Sequence, residues 1–120
     1  MTVGHLGYLE RIRTSILEEL PRIYQAQGLQ RDNLRLYVHY QPSYYHFHIH
    51  VVNANFLGLA NSMLAGKAIL LEDVIDNLFQ MASASASASD RSLGYASKTI
   101  NYQLKETHKL WDLGLRDYAQ

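Results

Sequence analysis

Residues 39–50 read His-Tyr-Gln-Pro-Ser-Tyr-Tyr-His-Phe-His-Ile-His, and within them His46, His48 and His50 recur at strict period two in an apolar, aromatic run. Successive side chains of a β-strand point to opposite faces, so in a strand the three imidazoles share one face while Tyr45, Phe47, Ile49 and Val51 share the other. The spacing predicts a strand over residues 44–54, with one face in a core and the other given to chemistry. Histidine changes charge near neutral pH and can act as base, acid, nucleophile or metal ligand. Three readings follow: an exposed face that is merely rich in histidine, a metal site, or a phosphate site with histidine as nucleophile.

Geometry separates the last two. At a rise of about 3.3 Å per residue, the Cα atoms of His46 and His50 lie about 13 Å apart, too far for one ion to collect all three rings at about 2 Å. Two neighbours could chelate, but the chain has no cysteine and no HExxH-type helical pair to complete such a site. A polyphosphate is an extended anion whose successive groups can meet successive imidazoles. The expectation is a phosphate site with no metal and no cofactor.

Upstream, residues 33–40 alternate, with Leu34, Leu36, Val38 and Tyr40 on one face and Tyr37 and His39 on the other. His39 thus precedes a Pro42-containing turn on a polar face, ready to join the row if the two strands pair. Before this strand, Leu9, Ile12, Ile16, Leu17, Leu20 and Ile23 recur at helical spacing over residues 8–27. Pro21 should kink or break that helix, and Gly28 is a good stop. After the second strand comes a Gly58-Leu-Ala-Asn-Ser62 loop. A second helix over residues 67–79 follows, with a core stripe of Leu70, Leu71, Val74, Ile75 and Leu78. Lys67 at its start works against the helix dipole, which a bound anion would offset.

Residues 82–89 alternate Ala and Ser, too little apolar surface to repay the entropy of ordering, so residues 82–92 read as a flexible loop. A strand over residues 97–104 and a helix over residues 107–118 complete the chain, the helix packing Leu110, Trp111, Leu113 or Leu115, and Tyr118 on the sheet. At 120 residues this is one domain, 1–120. Eleven basic and eleven acidic residues give zero formal net charge, which argues against an extended nucleic acid and for a short nucleotide. With no basic leader and no apolar run near the roughly 20 residues of a membrane span, a soluble protein with no membrane partner is expected, cytoplasmic by default.

The run His46-Phe-His-Ile-His50 resembles the triad of the histidine triad superfamily. The longer stretch Leu36-Tyr-Val-His-Tyr-Gln-Pro-Ser-Tyr-Tyr-His-Phe-His-Ile-His50 is similar to its scavenger mRNA decapping branch, marked by His39 and the Pro-Ser-Tyr-Tyr linker. Gly66-Lys-Ala-Ile-Leu-Leu-Glu-Asp-Val-Ile-Asp-Asn-Leu78 looks like the helix that follows the triad in that branch, and the likeness extends over residues 6–118.

The resemblance implies an α+β fold, an antiparallel sheet with a long N-terminal helix and further helices packed on it, assembled as a homodimer. It implies hydrolysis of the methylguanosine cap dinucleotide, or of a short capped RNA fragment, to methylguanosine monophosphate and a nucleoside diphosphate in 3′-to-5′ mRNA decay, with the nucleus as a second location. His48 would be the nucleophile, forming a phosphoramidate, and a backbone carbonyl near it would hold the proton on its other ring nitrogen. His50 would contact the phosphate and support the leaving group, His46 would shape the outer edge, and His39 would add a donor. Ser43, Tyr44 and Lys67 would contact phosphate. Family members carry a preceding cap-binding domain. The sequence starts at the long helix, so that domain is expected to be absent and its cap-reading groups do not transfer. The competing expectations are a broad dinucleoside polyphosphate hydrolase and a non-catalytic, regulatory nucleotide-binding paralogue.

Overall fold

The central strand of the sheet, β1 (Leu34–His39), is paired on both sides. In the computed structural model of the chain, which describes residues 1–56, 60–84, 93–114 and 117, β1 is flanked by β2 (His50–Asn53) and β3 (Ala68–Leu70), both antiparallel, in the order β2-β1-β3. Leu36 lies opposite Val51 and Tyr37 opposite His50 on one side, while Val38 meets Ile69 and His39 meets Ala68 on the other. Before the sheet runs α1 (Leu6–Ile23), and directly after β3 comes α2 (Leu71–Ala84). This is the α+β arrangement expected from the sequence.

Strand alternation divides the sheet. Leu36 and Val38 point to the side where the helices lie and are buried with Leu9 and Leu17 of α1 and Leu71, Val74 and Leu78 of α2. Ile49, Val51 and Ile69 pack against this core. Tyr37 and His39 point to the other side, where Tyr37 is nonetheless fully buried.

The first helix ends sooner than its apolar pattern does. It runs through Pro21, which lies in its last turn, and stops at Ile23. The missing N–H there removes one bond close to the end, so the helix finishes within a turn instead of breaking in two. A 3-10 turn, Gln25–Gln27, follows, and Gly28 closes it in the left-handed region at φ 71°, where glycine has no Cβ to clash.

Four expectations need correction. The second strand is confined to His50–Asn53, and residues 44–49 are irregular. Along the observed register Phe47 would lie opposite Tyr40 and Tyr45 opposite Pro42, but β2 pairs with β1 no further than Tyr37 and His50. Tyr40 keeps only the register with β3, its N–H donating to the Lys67 carbonyl at 2.9 Å. Tyr45 and Phe47 are consequently exposed rather than core, at 73% and 48%.

The second helix begins at Leu71, because residues 68–70 take a third place in the sheet as β3. A ladder to β1 outweighs their helical periodicity, and Leu70 leaves the core. Lys67 therefore precedes a strand and feels no helix dipole.

At the other end of α2, Ala82, Ser83 and Ala84 form its last turn, with the Ser83 hydroxyl donating to the Phe79 carbonyl at 3.0 Å. The remainder of the expected Ala/Ser loop, 85–92, lies outside the described residues, as do residues 57–59 of the loop after β2.

Finally, the strand expected over residues 97–104 does not form: Ser97 ends a 3-10 turn and residues 98–104 pair in no ladder, and among the described residues the expected last helix is the single turn α3 (Lys109–Asp112). Leu113 is exposed, and Leu115 and Tyr118 lie outside the described residues. Among the described residues no helix is long and apolar enough to cross a membrane.

Leu78→Ala, at a site with no exposure, should cost about 2–5 kcal/mol in urea denaturation, whereas Leu113→Ala should stay within about 0.5 kcal/mol. Equal costs would mean that the core has been misplaced.

Candidate active site

Pairing of Tyr37 with His50 sets the floor of the site. The two residues are directly opposed in the ladder and their rings stack at 4.9 Å and 6°. His39, two residues on along β1, brings its ring to 4.2 Å from that of His50. His48, just before β2, closes the group at 5.0 Å from His50, edge to face. The cluster is thus His39, His48 and His50 on Tyr37.

His46 stands apart from this cluster and stacks on Tyr44 at 4.9 Å. The period-two argument needs an extended strand through all three histidines, and the strand begins only at His50. His46 and Tyr44 instead line a small cavity of about 230 Å3 together with His39, Pro42 and His48. Ser43 is exposed between Pro42 and Tyr44. Lys67 is exposed in the wall of a second, larger cavity of about 580 Å3.

Two carbonyls decide where the imidazole protons sit. His48 Nδ1 lies 2.8 Å from the His46 carbonyl, and His39 Nε2 lies 2.8 Å from the Ser62 carbonyl. A carbonyl oxygen only accepts, so each ring nitrogen facing one is the donor. In the neutral rings this leaves a lone pair on His48 Nε2 and on His39 Nδ1. The His48 ring is thus held by its own backbone two residues back, with its tautomer set by that contact.

His50 is different. Its Nε2 is buried and makes no hydrogen bond among the described residues, and the same holds for the Tyr37 hydroxyl and the Ser62 hydroxyl. Burial, and then the neighbouring His39 and His48, lower its pKa from the ordinary 6.5. A buried polar atom left unpaired costs about 1–3 kcal/mol, so His50 Nε2 is the group in the cluster with most to gain from a ligand oxygen. Among the described residues no three His, Asp or Glu side chains are placed to hold a metal ion.

Tyr37 and the Ser62 carbonyl were not singled out from the sequence. Tyr37 shares parity with His39 in β1, a signal available beforehand. The carbonyl of Ser62 comes from a loop whose approach to His39 no local pattern announces.

The family described as scavenger mRNA decapping enzyme C-term binding matches residues 1–65, which contain every histidine of the cluster. Three curated proteins named m7GpppX diphosphatase are similar to the chain. That of Schizosaccharomyces pombe is 39% identical over 74 residues, covering 62% of this chain and 23% of that protein. Its counterpart in Caenorhabditis elegans is 44% identical over 78 residues, covering 65% and 24%, and the Homo sapiens protein is 37% identical over 78 residues, covering 65% and 22%. The chain spans about a quarter of the length of these relatives.

Because the folded chain holds His50 neutral, it resists a proton that the unfolded chain accepts below its pKa of 6.5. The His50 contribution to stability is therefore complete above pH 6.5 and is lost as pH falls below it. Urea midpoints measured between about pH 8 and pH 5 should decline on the acid side, and His50→Gln should flatten that decline. A wild-type decline that His50→Gln leaves unaltered would assign the effect to another group.

Proposed function

Because the chain belongs to the scavenger mRNA decapping enzyme C-terminal family, we propose that it carries the hydrolytic site of an m7GpppX diphosphatase, with His48 as nucleophile. The observation that supports this reading most directly is the bond from His48 Nδ1–H to the His46 carbonyl. With that proton held, Nε2 attacks the phosphorus next to methylguanosine. The N–P bond forms as the anhydride P–O bond breaks, and the electron pair leaves with the nucleoside diphosphate. Water then attacks the phosphoramidate, releasing methylguanosine monophosphate and restoring neutral His48.

His50 acts in this scheme as a neutral N–H donor to the phosphate oxygens and the bridging oxygen. A phosphate leaving group ionises near pH 6 (roughly), so a hydrogen bond serves where full proton transfer is not needed. His39 stands beside it with its N–H engaged by the Ser62 carbonyl, so in the neutral ring it offers the phosphate no donor, a correction to the donor role expected of it. His46, Ser43 and Tyr44 border the reacting phosphate, and Lys67 offers a cation from the loop before β3. No metal and no cofactor enters the scheme. A homodimer and a place in cytoplasmic 3′-to-5′ mRNA decay belong to the same proposal and rest on the family alone.

Cap selectivity is a separate matter. The small cavity beside the histidines offers aromatic rings from Tyr44, Tyr45 and Phe47, but among the described residues no carboxylate lines it to accept from the guanine N–H groups.

His48→Ala should lower cleavage of a cap dinucleotide by at least about a thousandfold. An acid-labile phosphorylated adduct should appear in quenched wild-type reactions and be missing from the variant. If both proteins are inert yet bind the dinucleotide, the chain is a binding module. In calorimetric titration of the His48→Ala protein, methylated and unmethylated dinucleoside triphosphates should bind within about tenfold of one another. Strong preference for the methylated ligand would show that the cap-reading groups lie within this chain.

A further inference from the structure

The larger cavity contains none of the clustered histidines and shares only Lys67 with the scheme above. It encloses about 580 Å3, a size usual for small-ligand sites. Its polar lining is Gln41, Lys67, Gln103, Lys105, Thr107 and His108, and among the described residues no carboxylate lines it. Glu106 is exposed and lies outside the lining. In a chain with equal numbers of acids and bases, two lysines and a histidine around one hollow are a local excess of positive character. Ion pairs among the described residues join Arg13 to Glu72 and Arg22 to Glu19, so neither lysine is neutralised by a carboxylate there. His108 Nδ1 accepts from the Leu110 N–H at 3.2 Å, which in the neutral ring leaves Nε2 as a further donor.

The hollow is attached to the histidine cluster through shared backbone. His39 pairs with Ala68 in the ladder, and the Tyr40 N–H donates to the Lys67 carbonyl at 2.9 Å. Gln41 is therefore two residues beyond His39, and Lys67 is one residue before its partner. The Gln103 N–H donates to the Gly66 carbonyl at 2.8 Å, fixing the Gln103–His108 wall to the same loop. Gly66 has φ +84°, and a Cβ there would sit 2.9 Å from Gln103 Cγ, so the close approach of the two segments needs glycine. By backbone pairing, Lys67 of the hollow thus adjoins the end of the strand that carries His39, and Lys105 lines the same hollow.

We propose that this cavity binds the leaving strand of a short capped oligonucleotide, the phosphodiester groups beyond the scissile anhydride, with Lys105 as a phosphate contact. The proposal rests on the hydrolase reading and adds where the body of the RNA goes. Two lysines and a histidine suit two or three phosphates rather than a long nucleic acid, in keeping with the zero net charge.

Binding of m7GpppG and of a capped pentanucleotide to the full chain carrying His48→Ala, which blocks turnover, is titrated at several salt concentrations. The pentanucleotide should bind more tightly, with a slope of log affinity against log salt steeper by about 0.7 for each further phosphate held. Adding Lys105→Gln should remove about 0.7 of that extra slope while the dinucleotide slope stays the same, and Lys105→Arg should restore it. Equal slopes for the two ligands, no binding of the pentanucleotide, or the same loss for both ligands in Lys105→Gln overturns the proposal. Failure of wild type to cleave either ligand counts against the hydrolase reading alone, because the binding slopes are read without turnover.

Discussion

Pairing of β1 on both edges is the constraint from which the other features follow. Its alternate residues serve two purposes at once: Leu36 and Val38 bind the helices, while Tyr37 and His39 face the site. Because one backbone carries both sets, the core packing behind β1 also fixes where Tyr37 and His39 stand. His50 enters the site through its ladder position opposite Tyr37 rather than through any contact of its own choosing. His39 and His50 are thus placed by the sheet, while His48 comes from the irregular segment before β2.

The same pairing explains why the site holds three histidines of a different selection from the period-two row. The ladder between β1 and β2 ends at Tyr37 and His50, although Tyr40 still bonds to Lys67 on the β3 side. Beyond that point the chain carrying His46 and His48 is free of the sheet, so His48 can fold its ring back onto the His46 carbonyl. An uninterrupted strand would hold the rings in a line, some 7 Å or roughly two residues apart. Interruption lets His48 approach His50 and sends His46 to Tyr44.

Much of the architecture was legible beforehand. The helical spacing of Leu9 and Leu17, the alternation through Leu36 and Val38, and the stripe of Leu71, Val74 and Leu78 are all patterns of a single element against one core, and each was found buried. Failures occurred where a segment had two partners to choose from. Ala68, Ile69 and Leu70 fit a helix by spacing but gain a ladder, residues 44–49 fit a strand but have no partner to pair with, and Ala82–Ala84 continue a helix that composition alone would end. The large cavity was invisible because its walls come from residues as far apart as Gln41 and His108, brought together by contacts such as the Gln103 N–H to Gly66 carbonyl bond.

By itself, then, the sequence determined the identity of the chemical groups and the side of each element that is apolar, since both are properties of residue type and local period. Tertiary structure decided which imidazoles touch, which nitrogen keeps its proton, and that Lys67 shares a hollow with Lys105. Those outcomes depend on strand register and on carbonyls such as those of His46 and Ser62, and a backbone acceptor has no letter in the sequence.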